Sequence, residues 1–204
     1  MNSATQSEHA VHGGHYLSLA LRDDLYVLLS SMLVRPPTGD LIQQLTDLRW
    51  DCEISPALSA ALEALRTAAG CCSPETAEHE FEDLFIGLGR GEIVPYASWY
   101  ANKLLMGAPL VRLRGDLAKL QIRRQAMVCE PEDHAAALCE TMALIIRSPK
   151  IAPAQRADFF NRHMHPWMLQ FFRDLQQAPS ARFYRAVGSL GEHFMRMEKQ
   201  HLQA

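Results

Sequence analysis

Residues 129–146 read CEPEDHAAALCETMALII, and this stretch decides the fold that we predict. A polar opening that contains one proline is followed by a run in which apolar residues recur at three- and four-residue spacings. That spacing is typical of a helix with a buried face. The same spacing continues along most of the chain, and no stretch shows the sustained alternation of a half-buried strand. We therefore predict an all-α fold.

The polar opening suits the start of a helix over residues 131–147. Pro131 fits the first helical position, where its missing N–H costs nothing. Glu132 and Asp133 then occupy the first turn, where the helix dipole favours acidic side chains. His134 falls on the apolar face, where a histidine is usually a core residue satisfied by one hydrogen bond. Asp133 and His134 together could also present an acceptor and a switchable donor to a ligand.

The chain is long enough to bury one sizeable core, so we predict a single globular helical bundle of about nine helices. Residues 1–14, with two histidines and two glycines, are predicted to form a flexible tail, and 15–204 the helical domain. Proline, glycine and serine mark most of the boundaries. The predicted helices are 16–34, 40–48, 56–69, 74–88, 97–106, 110–127, 131–147, 154–177 and 181–201.

Charge and cysteine content exclude several classes of protein. A formal net charge of −3 gives no electrostatic reason to expect nucleic acid as a partner. Five cysteines without a C-x-x-C pair suit a reducing compartment. The N-terminus lacks the basic and apolar regions of a secretory signal, and no apolar run is long enough to span a bilayer. We expect a cytoplasmic protein without stable membrane insertion.

An acidic and aromatic stretch lies near residue 80. Its apolar residues have helical spacing, so core packing alone explains them. Its acidic residues lie late in the predicted helix, where the helix dipole prefers cations. These acidic side chains either form a solvent-exposed face or pair with a positively charged partner. The apolar residues are Phe81, Leu84, Phe85 and Leu88, and the acidic ones are Glu78, Glu80, Glu82 and Asp83.

The sequence GLGRGE at 87–92 is a weak candidate for a phosphate-binding loop. A dinucleotide-binding fingerprint requires a strand before the glycines and a helix directly after them. Here the glycines follow a helix, so we predict that Gly87 or Gly89 ends that helix in left-handed backbone geometry.

No catalytic or metal-binding pattern stands out. His163 and His165 are two residues apart on a predicted helix and cannot face one metal ion. No histidine or cysteine spacing matches a zinc site. Cys129 lies near His134 in sequence, but that proximity does not define a catalytic dyad. We predict that the protein is not an enzyme and holds no metal.

Two motifs, about fifty residues apart, resemble those of one family. Residues 81–85, Phe-Glu-Asp-Leu-Phe, resemble its aromatic-x-x-Leu-Phe motif, and residues 130–134, Glu-Pro-Glu-Asp-His, its Glu-Pro-x-Asp-His motif. The intervening GLGRGEIVPYASWY and the C-terminal helices, with a His-x-x-Pro-Trp corner at 163–167, are also similar. On this resemblance, which covers roughly 16–200, the chain is identified as a member of the TorD/DmsD/NarJ family of redox-enzyme maturation chaperones.

The resemblance implies a TorD-like, all-helical cytoplasmic chaperone. Such proteins bind the N-terminal twin-arginine signal peptide and the apo form of a molybdenum-containing oxidoreductase, assist cofactor insertion and proofread before export. The resemblance further implies contact with the molybdopterin cofactor during maturation, weak guanine nucleotide binding in some members, and a monomer that also forms domain-swapped dimers. A hinge near 128–153 would permit that exchange.

The resemblance also implies a signal-peptide site. An arginine pair followed by an apolar segment requires carboxylates beside an apolar groove. Phe81 stands where many relatives have tyrosine or tryptophan, which removes a polar donor. Groove support is assigned to Phe81, Leu84 and Phe85, the adjoining turn to Pro95, Tyr96, Ser98 and Tyr100, and the peptide contacts to Glu130, Pro131, Asp133 and His134.

The residues alone leave two other functional classes of protein open. One is a helical small-ligand or nucleotide-binding regulatory domain that uses GLGRGE. The other is an enzyme that uses Cys129 or the histidines. The client also stays open among formate, nitrate, trimethylamine N-oxide and dimethyl sulfoxide enzymes.

Overall fold

The structure, a computed structural model, describes residues 17–50, 54–87, 90–124 and 130–203. These ranges contain ten α-helices, one π-helical turn and no β-strand. The all-α prediction is confirmed, with one α-helix more than expected. The elements are α1 (Leu19–Leu33), α2 (Gly39–Thr46), α3 (Pro56–Gly70), α4 (Pro74–Phe81), the π-turn (Glu82–Ile86), α5 (Ala97–Asn102), α6 (Ala108–Lys119), α7 (Ala135–Arg147), α8 (Pro153–His163), α9 (Met168–Gln177) and α10 (Phe183–Gln203).

Hydroxyl side chains start the first four helices. In each case the N-cap oxygen accepts a hydrogen bond from the backbone N–H three residues later, which satisfies one otherwise unpaired donor. Pro56 and Pro74 follow two of these caps and are the first residues of the helices predicted over 56–69 and 74–88. These short signals explain why the sequence located the starts of α3 and α4 correctly. The capping residues are Ser18, Thr38, Ser55 and Ser73.

Two helices that we predicted as continuous are interrupted. The helix predicted over 74–88 changes to π-helical hydrogen bonding at Glu82 and ends at Gly87, with φ 58° and ψ 173°. That backbone geometry is available essentially only to glycine, so the predicted termination at Gly87 is confirmed. The helix predicted over 154–177 breaks between α8 and α9, because Pro166 has no N–H to donate.

Other predicted helices were too long at one end. The helix predicted over 97–106 ends at Asn102, because Lys103 adopts a left-handed conformation. The helix predicted over 110–127 ends at Lys119. Parts of several predictions lie outside the described residues, namely the tail 1–14, Leu88, Gly89, and Val128 and Cys129 of the predicted hinge.

α10 lies at the centre of the packing. It contacts α1, α3, α4, α8 and α9, while α1 packs along α7 and α2 along α3. Gly191 permits the close approach of α10 to α9, since a Cβ at this position would lie 2.3 Å from the ring of Phe172. One hydrophobic core therefore joins the N-terminal and C-terminal halves of the described chain.

A buried ion pair also joins α1 to α10. Arg22 donates from Nε and Nη2 to the carboxylate of Glu198, and Tyr26 donates its hydroxyl to the same carboxylate at 2.9 Å. Arg22 is 2% exposed and Glu198 is fully buried. A buried ion pair of this kind favours one relative position of the two helices, because a shift that separates the partners leaves a buried charge unpaired.

One member of the acidic stretch near residue 80 has a structural role. The buried carboxylate of Glu80 accepts hydrogen bonds from the backbone N–H groups of Arg182, Phe183 and Tyr184, at 2.8, 3.1 and 2.7 Å. It therefore caps the N-terminus of α10, where the helix dipole is positive. Glu78, Glu82 and Asp83 are exposed. Among the helices described, none is both long and apolar enough to cross a bilayer.

Candidate functional site

The residues of the Glu-Pro-Glu-Asp-His motif, hereafter the mouth (130–134), pair with the backbone at 95–98, hereafter the turn. The N–H of Ala97 donates to the carbonyl of Asp133 at 3.0 Å, and the N–H of Ala135 donates to the carbonyl of Pro95 at 2.8 Å. Tyr96 and His134 form an isolated antiparallel bridge between them. The structure thus brings together two segments that the sequence analysis assigned to one site.

This pairing corrects the predicted start of the helix over 131–147. α7 begins at Ala135, and His134 is its N-cap, with extended backbone and with Nδ1 accepting the N–H of Ala136 at 3.1 Å. The bridge to the turn holds His134 in the extended conformation, so Pro131 and Asp133 precede the helix. The prediction that they occupy its first turn was wrong, because it considered local signals and no tertiary pairing.

Asp133 is almost completely buried, at 1% exposure. Its Oδ2 accepts the backbone N–H of Ser98 at 3.0 Å. Its Oδ1 is also buried, and no hydrogen-bond partner for it is found in the part of the chain that the structure describes. A desolvated carboxylate oxygen without a donor is costly, so this atom is a natural acceptor for a ligand.

Tyr96 and His134 form the rest of the mouth. The Tyr96 hydroxyl donates to the carboxylate of Glu130, and its ring meets the His134 ring edge-on at 5.0 Å. Burial and then the Glu130 carboxylate raise the pKa of Tyr96. Burial lowers the pKa of His134, although Glu130 and Asp133 oppose the shift. His134 is therefore neutral near pH 7, as its acceptor role at Nδ1 requires.

Two arginines of the chain contact the outer side of the mouth. Arg114 of α6 pairs with Glu132 at 2.8 Å, and Arg124 donates to the backbone carbonyl of Glu130 at 3.2 Å. Arg114 is half-exposed, so this pair contributes little stability in water. The mouth can nevertheless receive guanidinium groups, as these contacts show.

A cleft of about 180 Å³ opens beside Asp133, between α5, α6 and the corner that joins α8 to α9. The rings of Tyr100 and Trp167 lie 5.3 Å apart in its wall. Tyr100 is held by a hydrogen bond of 2.8 Å to Asp174, and Trp167 by one of 2.8 Å to the carbonyl of His163. The cleft therefore has a preformed aromatic wall next to a buried carboxylate.

The exposed end of the cleft is cationic. Arg112 and Arg162 lie there, and His163 Nε2 is 3.0 Å from Asp116. Burial lowers the pKa of His163, although Asp116 opposes the shift. Hydrogen bonds from Lys119 and then from His163 hold the pKa of Asp116 at about 2. Within the described ranges, no three histidine, cysteine or acidic side chains are grouped as metal ligands would be.

The aromatic-x-x-Leu-Phe motif lies elsewhere. Phe81 and Leu84 are buried in the core, and the half-buried ring of Phe85 meets that of Tyr184 on α10 at 5.3 Å. None of the three lines the cleft beside Asp133. The backbone joins the two motifs, since the N–H of Ile93, just before the turn, donates to the carbonyl of Leu84 at 2.8 Å. The backbone of Leu84 therefore helps to position the turn.

Sequence reasoning missed the residues that complete the cleft. Arg112 and Arg162 carry no motif, and Trp167 was noted only as part of a corner. The one signal that could have found them is that corner, because Pro166 forces a helix break in front of Trp167. Tyr100, which was predicted to shape the turn, lies in α5 and belongs to the cleft wall.

The fold and the site together define an all-helical protein whose central feature is the paired mouth and turn. The chain matches the nitrate reductase delta subunit family over residues 52–173, about three-fifths of its length, and it belongs to that family. This is the NarJ/TorD family of redox-enzyme maturation chaperones, which are not enzymes. The resemblance inferred from the two motifs is confirmed.

Relatives named chaperone protein TorD include one from Aliivibrio fischeri, 26% identical over 89% of this chain and 94% of its own length. Another, from Vibrio cholerae, is 29% identical, and this chain spans only 59% of its length. A solved structure from Archaeoglobus fulgidus, assigned to redox enzyme maturation, has a similar fold, with a TM-score of 0.61 and 18% identity over 90% of this chain and 99% of its own.

Proposed function

We propose that the protein binds the twin-arginine signal peptide of a molybdenum-containing oxidoreductase in the cytoplasm. It holds the apo form of that enzyme while the cofactor is inserted, and so delays export. Family membership supports the general role of a maturation chaperone. The single observation that supports peptide binding is the buried Oδ1 of Asp133, which lacks a hydrogen-bond partner within the described residues.

An arginine side chain suits this atom and its surroundings. The guanidinium group presents five donors in a planar fork and stacks well on aromatic rings. One arginine of the peptide donates to Asp133 with its plane against Tyr100 and Trp167, which line the same cleft. The second pairs with Glu130, whose side chain is exposed. Arg112 and Arg162 at the far end of the cleft repel a second cation there, which limits the cleft to one arginine.

The apolar part of the peptide lies along the exposed side of the turn. Phe81 and Leu84 are buried and cannot receive it. Tyr96, Trp99 and Tyr100 are half-exposed and lie next to the mouth, so they offer the nearest aromatic surface. A peptide bound here combines charge pairing at its arginines with apolar contact farther along.

Calorimetry with a client signal peptide tests this proposal. Asp133→Asn keeps the shape of the side chain and should weaken binding about tenfold, the effect of one charge-assisted hydrogen bond. Asp47→Asn, at an exposed position after α2, is the matched control. A Lys-Lys peptide should bind less well, because lysine lacks the planar fork. Equal affinities for both variants and both peptides would contradict the proposal.

The dependence of peptide affinity on salt concentration distinguishes the ion pairs of the interaction from its apolar contacts. Exposed ion pairs weaken as the Debye length falls from about 10 Å at 0.1 M to about 3 Å at 1 M salt, whereas apolar contacts do not. The affinity should therefore fall with salt and level off above zero. An affinity that does not change with salt would exclude the arginine contacts.

A second ligand class is favoured by the cations of the cleft. Arg112 and Arg162 beside the rings of Tyr100 and Trp167 suit a flat anionic molecule such as a guanine nucleotide or the molybdopterin cofactor. The GLGRGE segment considered earlier is separate from this cleft, and part of it lies outside the described residues. Titration with GTP, with Arg112→Gln as the variant, tests this candidate. Binding that Arg112→Gln leaves unchanged would place the nucleotide elsewhere.

We propose that the chain is a monomer that also exchanges helices about the hinge near 128–153. Exchange would place α1 of one copy against α10 of another. Size-exclusion chromatography with light scattering over a wide range of concentration and pH tests this proposal. A monomer under every condition would contradict it.

A further inference from the structure

The loop between α5 and α6 exposes a cluster of large apolar side chains, hereafter the apolar loop. Leu104, Leu105 and Met106 are 65%, 53% and 69% exposed, and Val111 at the start of α6 is 68% exposed. Soluble proteins usually scatter such residues singly, so three consecutive ones with a fourth nearby mark an interaction surface. None of the four lines the cleft beside Asp133.

The backbone of the apolar loop is strained. Lys103 and Met106 have φ values of 61° and 59°, although neither is a glycine. Such conformations cost free energy in residues that carry a Cβ, and they persist where a particular presentation of side chains matters. The two residues with positive φ therefore lie in the same segment as the apolar side chains that are exposed to solvent.

The segment that contains the apolar loop is strongly basic. Residues 90–124 hold seven lysines and arginines but two acidic residues, in a chain whose net charge is −3. Exposed cations of α6 follow directly after the loop, and Lys119 is 75% exposed. The basic residues are Arg90, Lys103, Arg112, Arg114, Lys119, Arg123 and Arg124.

The charge and shape of this surface select among its partners. A second copy of the chain would bring two basic faces together, which like-charge repulsion disfavours. These exposed side chains protrude, so they do not form a groove in which a peptide could lie. An apolar tip beside basic residues is instead the arrangement that inserts at a lipid surface, with the apolar side chains in the interface and the cations on anionic headgroups.

We infer that the apolar loop and α6 form a docking surface for an anionic lipid bilayer. The protein binds there peripherally, with Leu104, Leu105 and Met106 inserted and the exposed cations of α6 at the headgroups. α6 also supplies Arg112 and Leu113 to the cleft beside Asp133. Docking therefore holds the cleft close to the bilayer. The inference does not depend on the proposed peptide binding.

Vesicle co-sedimentation of the whole protein tests the inference. Vesicles of phosphatidylcholine with about one-third phosphatidylglycerol should pellet the protein at low salt, while pure phosphatidylcholine should not. The double variant Leu105→Ser with Met106→Ser should lose most of the binding. Arg114→Gln with Lys119→Gln should weaken it and reduce its dependence on salt. Leu144→Ser, at a position on α7 that is 46% exposed, is the matched control and should bind like the unmodified protein.

The outcomes are distinct from those of the peptide experiment. No binding to anionic vesicles, or equal binding by all variants, overturns the inference. Loss of signal-peptide affinity in the double serine variant, without any vesicle binding by the unmodified protein, would instead make the apolar loop a peptide contact. Thermal unfolding should be unchanged in the double serine variant, because both side chains are exposed.

Discussion

Ser98 and Asp133 are joined by one hydrogen bond, from the backbone N–H of Ser98 to Oδ2 of Asp133 at 3.0 Å. The Ser98 hydroxyl and Asp133 Oδ1 are both buried, and neither has a partner within the described ranges. One carboxylate oxygen therefore holds the turn against the mouth, while the other is available to a ligand. Substitutions at Asp133 must be chosen so that these two roles separate.

Asp133→Ala should reduce the free energy of unfolding by about 1–3 kcal/mol, because it leaves the buried N–H of Ser98 without an acceptor. Asp133→Asn keeps an acceptor oxygen and should cost about 1 kcal/mol or less. Urea denaturation measures both. Ser98→Ala is the control and should change stability little, since its hydroxyl has no partner. Equal losses for Asn and Ala would show that the negative charge itself stabilises the fold.

Glu80→Ala should destabilise the protein by about 2–4 kcal/mol. The substitution removes the acceptor for three backbone N–H groups at the start of α10, two of them in buried surroundings. Glu82→Ala, a few residues away and exposed, is the matched control and should have little effect. Chemical denaturation gives both values. Similar stabilities would mean that α10 does not need this cap.

The two aromatic residues of the first motif should differ in their effects. Phe81 is 8% exposed, so Phe81→Ala should cost about 3–5 kcal/mol, as expected for a buried phenylalanine. Phe85 is half-buried, so Phe85→Ala should cost about 2 kcal/mol. Neither should alter peptide affinity in protein that remains folded. A folded Phe85→Ala variant that fails to bind peptide would return this residue to the binding site.

Stability should depend on pH through His134. Burial lowers its pKa below the ordinary 6.5, so the unfolded chain takes up a proton at this site before the folded protein does. The contribution of neutral His134 to the free energy of unfolding is therefore complete above about pH 6.5. It is lost as the pH falls from there toward the lowered pKa. His134→Asn keeps a capping side chain and should show a weaker decline in thermal unfolding between pH 7 and pH 5. Parallel declines in the two proteins would contradict this.

Two glycine substitutions should have opposite signs. A Cβ at Gly191 would lie 2.3 Å from the Phe172 ring, so Gly191→Ala should destabilise the protein by about 1–3 kcal/mol. A Cβ at Gly115, within α6, meets nothing within 4 Å, so Gly115→Ala should stabilise it by about 0.5–1 kcal/mol. Calorimetric melting temperatures measure both. A stable Gly191→Ala variant would show that α9 and α10 can separate without loss.

Local signals explain what the sequence could predict of the fold. Helical spacing and boundary residues such as proline are local signals, so the fold class was correct and the starts of α3, α4 and α5 were located to the residue. The start of α7 was wrong, because the backbone of the distant turn holds His134 extended. The interruption before Trp167 was overlooked, although Pro166 is a local signal, since the apolar period continues on both sides of it.

The site was only partly predictable for the same reason. The two motifs identified the mouth, the turn and the family. The cleft, however, is completed by Arg162 and Trp167, which approach Asp133 only through the packing of α8 on α6 and α7. Apolar helical spacing at the first motif does not distinguish a groove wall from a core. The structure buries Phe81 and Leu84 and leaves Phe85 half-buried, and the assignment of these residues as groove support stays a prediction.

The ion pair between Arg22 and Glu198 can form only late in the synthesis of the chain. The two residues are 176 positions apart, so at 5–20 residues per second roughly 9–35 s pass on the ribosome before Arg22 can meet its partner. During that time α1 carries a cation whose buried position cannot yet be satisfied. Until α10 arrives, α1 can pack along α7 but its buried cation stays unpaired, so a nascent chain that stalls before α10 is a target for the proteases and chaperones of the cell.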